Sequence, residues 1–275
     1  MGKIKHNPTS RRIIWGERVM KMNGVRIYPA GNSPAVIYAC NYLRDRGFEI
    51  LKKPEMDATH LLLPAPAFET DLRIRGGGIL EHILADLPED VTVVGGNLTH
   101  PMLSGYRTMD LLKDPYYLAK IADITAHCAA SLAAEKLPVT LAGCQTLIIG
   151  WGRIGKCLAS LLRAMGAIVT VAARKETDRA MLSALGYNCV SMEEITDRLG
   201  RYRLIVNTAP QNVLSAGQMS ECMANCLKID LASQKGMAGN DVIWAKGLPG
   251  KMAAESSGAL IGQSFIRLIL KKEGM

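Results

Sequence analysis

Three glycines with the spacing G-x-G-x-x-G stand between two short apolar segments of the sequence. In TLIIGWGRIGKCLASLLRAMGAIVTVAARK (146–175) they are Gly150, Gly152 and Gly155. The first glycine of such a motif permits a tight turn, the second lets the backbone approach a pyrophosphate, and the third lets the next helix pack close to the strand. The spacing therefore predicts a dinucleotide-binding turn, made of Gly150, Trp151, Gly152, Arg153, Ile154 and Gly155.

The segments around the glycines complete a strand–turn–helix–strand unit. Thr146–Ile149 and Ile168–Ala173 are apolar runs typical of buried parallel strands. Between them, apolar residues recur at helical spacing from Ile154 to Met165, and Gly166 is a suitable helix stop. This context favours a nucleotide site over a purely structural glycine turn.

The end of the second strand indicates which dinucleotide is bound. An NAD site usually carries an Asp or Glu there for the ribose 2′-hydroxyl. Here Ala172 and Ala173 are followed by Arg174 and Lys175, which would attract a 2′-phosphate. We expect NADP, with NAD less favoured. A solvated basic turn is the alternative, and Glu176 keeps NAD open.

Composition limits the classes of protein that fit. The 275 residues suit two domains, and 48% hydrophobic residues suffice for buried cores. The sequence contains no run of 18 apolar residues, so we do not expect a membrane span. The amino-terminal segment lacks the apolar stretch and the cleavage site of a secretory signal. The net charge of +8 comes with only 5% aromatic residues and no reader motif, so an anionic cofactor and substrate explain it better than nucleic acid does. Seven scattered cysteines suggest a reducing cytoplasm, and no residue pattern predicts a metal site.

The alternation of strands and helices predicts an α/β protein with two parallel-sheet domains joined by a long helix. The amino-terminal domain is expected to be flavodoxin-like and the carboxyl-terminal domain to be a Rossmann NAD(P)-binding domain. The predicted segments are a basic tail (1–24), a substrate-side domain (25–113), a connecting helix with a break near Thr125 (114–137), the Rossmann domain (138–252) and a last helix that packs back on the first domain (253–275).

Ligand-binding loops are expected at the carboxyl ends of the strands. In the first domain these are PAPAF (64–68) and GGNLTHP (95–101), which should face the interdomain cleft. In the second domain they follow strands 204–207 and 227–232, and their predicted cofactor-binding residues are Asn207, Thr208, Ala209, Pro210, Asp230, Ala232 and Ser233. Gly247 to Lys251 should begin the last helix, whose free N–H groups together with Lys251 would bind a substrate carboxylate. The alternative is a turn with a solvated lysine.

Several motifs of the second half resemble those of the A subunits of dipicolinate synthase, a dehydrogenase-like family of spore-forming bacteria. They are GWGRIGKCLA, VTVAARK, VNTAP, KIDLASQKG and AKGLPGKMAAESSGALIGQ, in this order. The resemblance implies a nicotinamide cofactor and oxidation of dihydrodipicolinate to dipicolinate for the spore core. It also implies that a flavoprotein-like B subunit is the partner, and we expect a homo-oligomer.

Aromatising a dihydropyridine removes a hydride and a proton, so a base is useful. His127 is the first candidate because histidine titrates near neutral pH, and His100 in NLTHP is the second. Lys251 would hold a carboxylate of the small dicarboxylate substrate. His127 could instead be a structural histidine in a domain interface.

Two other functions remain open. A D-2-hydroxyacid dehydrogenase shares the two-domain plan. That class generally uses an Arg after the strand equivalent to 227–232 and later a Pro-His pair. Here LASQKG after Asp230 contains no Arg and GLPGK contains no His, which disfavours this function. A non-catalytic NADP-binding regulatory paralogue is the other alternative. It is supported by QKGMAGNDVIW (234–244), which is too short for the helix that the family usually carries, and by His127 where the family tends to have a Glu.

Overall fold

The computed structural model of the chain describes residues 12–15, 18–21 and 24–272, and its contacts divide the chain into two units. One unit ends at Leu118 and resumes at Ala254, and the other is Ala119–Ala253. The predicted basic tail lies largely outside the described residues. Its described part forms strands β1 (Arg12–Trp15) and β2 (Arg18–Lys21), which pair antiparallel where a loose tail was expected. The β-branched residues of RIIW and RVMK favour these strands.

The first unit is built on a parallel sheet whose strands lie in the order β4-β3-β5-β6-β7. This is the flavodoxin-like order, in which the first strand of the sheet lies between the second and the third, so the prediction for this domain is confirmed. Its elements are β3 (Arg26–Pro29), α1 (Pro34–Asp45), β4 (Glu49–Ile50), β5 (His60–Leu62), α2 (Leu80–Ala85), β6 (Thr92–Gly95), β7 (Arg107–Asp110) and the start of α3 (Pro115–Lys136).

The second unit contains a parallel sheet in the order β10-β9-β8-β11-β12-β13, which is the Rossmann order. The prediction of an α/β fold with a Rossmann domain is therefore confirmed. Its elements are β8 (Gln145–Ile149), α4 (Arg153–Ala164), β9 (Ile168–Ala172), α5 (Glu176–Ala184), β10 (Asn188–Val190), β11 (Leu204–Asn207), α6 (Ala216–Met219), β12 (Leu227–Asp230), β13 (Val242–Trp244) and α7 (Leu248–Met252). The strand order reverses between β8 and β11, and ligands of such sheets bind beyond the carboxyl ends of the strands at that point.

The last helix, α8 (Ala254–Lys272), belongs to the first unit and packs along α1. Two glycines make this close approach sterically feasible. A Cβ atom at Gly258 would lie 2.5 Å from Ala35 O, and one at Gly262 would lie 2.6 Å from the ring of Tyr42. Arg267 of α8 also forms an ion pair with Asp114, whose carboxylate accepts the Tyr117 N–H at the start of α3.

Two local features differ from the sequence-based expectations. Helix α3 continues through Thr125 without a break, and the Thr125 hydroxyl donates to Ile121 O within the helix at 2.6 Å. The segment expected to lead into the last helix forms a separate helix, α7, and Ala253 (φ −138°) separates it from α8. As expected from the short segment 234–244, no helix lies among the described residues between β12 and β13. None of the helices in residues 24–272 combines the length and hydropathy that a membrane span requires.

Candidate functional site

The glycine turn connects β8 to α4 at the point where the strand order reverses. Gly150 has φ +107°, a conformation that side chains disfavour. A Cβ atom at Gly155 would lie 2.2 Å from Gly150 O, so only glycine allows α4 to approach the turn this closely. The hydroxyl of Thr208 supports the turn from the neighbouring strand, where it donates to Ile149 O at 3.0 Å.

The space next to Gly152 is open. A Cβ atom at this residue would meet nothing within 4 Å, although Gly152 is the N-cap of the 12-residue helix α4 and makes no side-chain cap. The first N–H groups of a helix lack intrahelical acceptors and carry a partial positive charge. A close turn, an uncapped helix start and open space beside it together fit the pyrophosphate of a dinucleotide.

The side chains of the turn have a supporting role. Trp151 packs against Tyr187 with ring centroids 5.7 Å apart, and Lys156 Nζ lies 5.7 Å from the Trp151 ring centroid. Ile154 packs against the core of the second unit, whereas Arg153 is exposed. The backbone is therefore the part of this motif that suits phosphate contact.

The end of β9 presents cations. Ala172 and Ala173 are buried, and Arg174 and Lys175 are exposed. Arg179, one turn into α5, donates from Nη1 to Ala173 O at 2.9 Å and to Arg174 O at 2.7 Å. It thereby holds the backbone that carries the two exposed cations. Arg179 was not among the predicted site residues, although an arginine at helical spacing after the Arg-Lys pair was the available signal.

The ends of β11 and β12 are joined by a buried amide–carboxylate pair. Asn207 and Asp230 are both 0% exposed, and Asn207 Nδ2 donates to Asp230 Oδ1 at 3.0 Å. The side chain of Asp230 makes all its hydrogen bonds within the protein, so it is not available for direct cofactor contact. The loop that follows it remains at the carboxyl edge of the sheet, where Ser233 is exposed.

The other predicted loop residues are divided between surface and interior. Pro210 is exposed, Thr208 and Ala209 are half-buried, and Ala232 is buried. The carbonyl of Ala232 accepts the indole N–H of Trp244 at 2.9 Å. Trp244 was not among the predicted site residues, yet 46% of it is exposed beside this loop.

The candidate catalytic residues lie in different units. His127 is exposed on α3 in the second unit, and His100 is half-buried in the first. His100 Nδ1 accepts the Met102 N–H at 3.2 Å and its ring lies 5.0 Å from that of Phe68. Because Nδ1 accepts this hydrogen bond, the neutral His100 ring carries its proton on Nε2 and can donate a hydrogen bond from that atom.

The expectation for Lys251 requires a correction. The residue lies in the last turn of the five-residue helix α7, not at the start of the long last helix. The dipole of a helix favours cations at its carboxyl end, where Lys251 lies. A helix as short as α7 also offers little positive potential at its amino end for binding a carboxylate. The exposed Lys251 ammonium remains, but the predicted helix-terminus contribution to a carboxylate site is lost. Among residues 24–272, no group of three or more His, Cys, Asp or Glu side chains could hold a metal ion.

The fold and the glycine turn define a class: an α/β protein of two parallel-sheet units, the second with the architecture of a nicotinamide-dinucleotide-binding domain. Residues 119–223 match the family model of the D-isomer specific 2-hydroxyacid dehydrogenase, NAD binding domain. This segment of the chain is thus similar to the NAD-binding domains of dehydrogenases. The match ends before β12 and α7.

Similarity to the A subunit of dipicolinate synthase is also found, and it confirms the resemblance read from the motifs. The protein from Bacillus subtilis (strain 168) is 27% identical over 153 residues, so the aligned region spans about half of each protein, 53% of this chain and 52% of the relative. The crystal structure of the Bacillus halodurans protein has a TM-score of 0.80 at 19% identity, covering 89% of this chain and 97% of that one. The crystal structure of the Bacillus subtilis protein has a TM-score of 0.78 at 18% identity, covering 92% and 98%.

Proposed function

We propose that this protein is an NADP-dependent dehydrogenase that oxidises dihydrodipicolinate to dipicolinate. The observation that carries the cofactor part is the glycine turn, in which an uncapped helix start adjoins open space at Gly152. The substrate part rests on the similarity to the A subunit of dipicolinate synthase. When bound, the nicotinamide ring supplies the hydride acceptor, and the protein contributes binding, orientation and proton transfer.

The preference for NADP is proposed from the end of β9. No carboxylate stands where an NAD site would hold the ribose 2′-hydroxyl, and Arg174 and Lys175 are exposed there. Arg179 donates to two backbone carbonyl groups of this loop and so restricts the backbone that carries the two cations. Charge-assisted hydrogen bonds from these side chains would favour a 2′-phosphate over a hydroxyl.

Substrate oxidation breaks one C–H bond by loss of a hydride and a second bond to hydrogen by loss of a proton, which leaves the aromatic ring. We assign the role of the base that accepts this proton to His127. In His100, Nδ1 already accepts a hydrogen bond and Nε2 carries an N–H, so neither nitrogen is free to accept a proton. His100 then suits a donor to a carboxylate or carbonyl oxygen better than a base. Lys251 is exposed and is the proposed partner of a substrate carboxylate.

A flavoprotein-like B subunit is proposed as the partner, since the relative is named as one subunit of a synthase. A non-catalytic NADP-binding regulator is the second candidate. One observation favours it: residues 231–241 join two parallel strands without a helix, which is an unusually short crossover. This connection lies beside the nicotinamide end of the proposed site.

Turnover separates the two candidates. Purified protein, alone and with the B subunit, would be mixed with enzymatically generated dihydrodipicolinate and NADP, and the absorbance of reduced nicotinamide would be followed. The proposal expects dipicolinate and NADPH in equal amounts, and it expects His127→Gln to lower kcat. NADP binding without turnover in either mixture would favour the regulator and reject the dehydrogenase.

A further inference from the structure

The loops after β11 and β12 are coupled by one buried pair of side chains. Asn207 and Asp230 face each other in the register of the two strands, and neither is accessible to solvent. Asn207 Nδ2 donates to Asp230 Oδ1 at 3.0 Å. The pair therefore connects two loops that are separated by more than twenty residues in sequence.

Each member of the pair also binds its own loop. Asn207 Oδ1 accepts the Ala209 N–H at 2.9 Å, and Nδ2 donates to Ala209 O at 3.1 Å. Asp230 Oδ1 accepts the Ala232 N–H at 3.0 Å, and Oδ2 accepts those of Gly236 and Met237 at 2.7 and 3.0 Å. The side chains thus fix the course of both loops where they leave the sheet.

The loop after β12 depends on Asp230 because it has no helix to order it. Its backbone returns against the other loop so closely that a Cβ atom at Gly236 would lie 2.3 Å from Gln211 O and 2.6 Å from Asn207 Nδ2. An ionised carboxylate offers acceptors only, which matches the four N–H donors around it. An asparagine at this position would place an NH₂ group against backbone N–H groups and leave donors unpaired.

We propose that Asn207 and Asp230 are a positioning pair that holds these two loops around the nicotinamide half of the dinucleotide. The inference rests on the proposed dinucleotide function and adds to it the two side chains that order the loops on the nicotinamide side. The glycine turn and the end of β9 would bind the pyrophosphate and the adenosine half. Loops 208–210 and 231–237 lie beyond the point where the strand order reverses and would bind the nicotinamide half. They would make no contact with the adenosine half.

A truncated ligand tests this division. Calorimetry would measure the affinities of NADPH and of adenosine 2′,5′-bisphosphate, which lacks the nicotinamide half, for the wild type, Asp230→Asn and Asn207→Ala. We expect NADPH to bind about ten- to hundredfold more weakly to Asp230→Asn, since buried charge-assisted hydrogen bonds are lost. The bisphosphate should bind as it does to the wild type, which also shows that the variant is folded. Trp244 fluorescence should change because its indole N–H is bound to Ala232 O.

Thr146→Val is the matched control, since it removes a buried hydrogen bond (to Cys144 O) at the amino end of the same sheet. It should leave both affinities unchanged. Equal losses of NADPH and bisphosphate affinity in both loop variants, or no loss of NADPH affinity, would overturn the inference. If the wild type binds neither ligand, the proposed dinucleotide function fails first, and the positioning role fails with it.

Discussion

Alanine at Gly152 should weaken NADP binding with little loss of stability, whereas alanine at Gly155 should reduce both. The Cβ atom of Gly152→Ala would meet nothing within 4 Å, and the backbone (φ −78°) accepts alanine. The free energy of unfolding should fall by only about 1 kcal/mol or less, because alanine is a poorer N-cap than glycine. The new methyl group would stand in the space that a pyrophosphate needs, so NADP affinity should fall by about tenfold or more.

Gly155→Ala places its methyl group 2.2 Å from Gly150 O, so α4 and the turn must separate by about 1.2 Å or more to reach an ordinary contact. Overpacking of this kind costs about 1–3 kcal/mol, and the better helix propensity of alanine returns about 1 kcal/mol. We therefore expect a net loss of up to about 2 kcal/mol in the free energy of unfolding, together with loss of NADP binding.

Urea unfolding and calorimetry with NADPH would measure both quantities. Gly217→Ala in α6, whose Cβ atom would also meet nothing within 4 Å, is the control and should leave binding unchanged. If Gly152→Ala binds NADPH as tightly as the wild type does, the turn is a structural connection and the proposed pyrophosphate site is wrong.

Three further predictions follow from charges and thiols. The pKa of Asp114 is lowered despite its burial, because Arg267 and the Tyr117 N–H stabilise the carboxylate, so Asp114→Asn should destabilise the protein by about 1–3 kcal/mol at neutral pH. This stabilisation is present above the ordinary carboxyl pKa and is lost as pH falls through the lowered value. The stability difference between wild type and Asp114→Asn should therefore vanish in acid, and a difference that persists there in pH-dependent urea unfolding would contradict the ion-pair explanation. Burial raises the pKa of Cys40 to about 11 and that of Cys226 to about 12, so native alkylation near neutral pH should spare both, while denatured, non-reduced protein should titrate as seven thiols. A stoichiometric disulfide in fresh protein would exclude this. Lys251→Ala should raise the KM for the dicarboxylate substrate about tenfold with NADP affinity unchanged, and wild-type kinetics would place the carboxylate site elsewhere.

Much of the fold could be predicted because local sequence encodes it. Buried parallel strands such as Thr146–Ile149 are continuous apolar runs, and Gly150 and Gly166 mark where the chain must turn. Strand β7 was not predicted because its residues, RTMD, carry no apolar pattern, and only pairing with β6 makes them a strand. The hairpin of β1 and β2 was missed because the positive charge of the segment suggested a tail.

The site could be predicted where the backbone forms it and less well where side chains do. The glycine turn depends on residues close in sequence, whereas the burial of Asp230 depends on a partner 23 residues away. The position of Lys251 in its helix depends on where α7 ends, and the conformation of Ala253 that ends it has no signal such as proline or glycine. For Arg179, the contact with Ala173 O could not be foreseen from charge alone.

The most direct test of the proposed cofactor site is a calorimetric titration of the wild type and Arg174→Ala with NADP and with NAD at the same salt concentration. Arg174 is exposed at the end of β9, so its removal should not disturb the core. We predict that the wild type binds NADP more tightly than NAD and that Arg174→Ala loses about ten- to hundredfold in NADP affinity while NAD affinity is unchanged. Equal affinities of the wild type for the two cofactors, or the same ratio in the variant, would contradict the assignment.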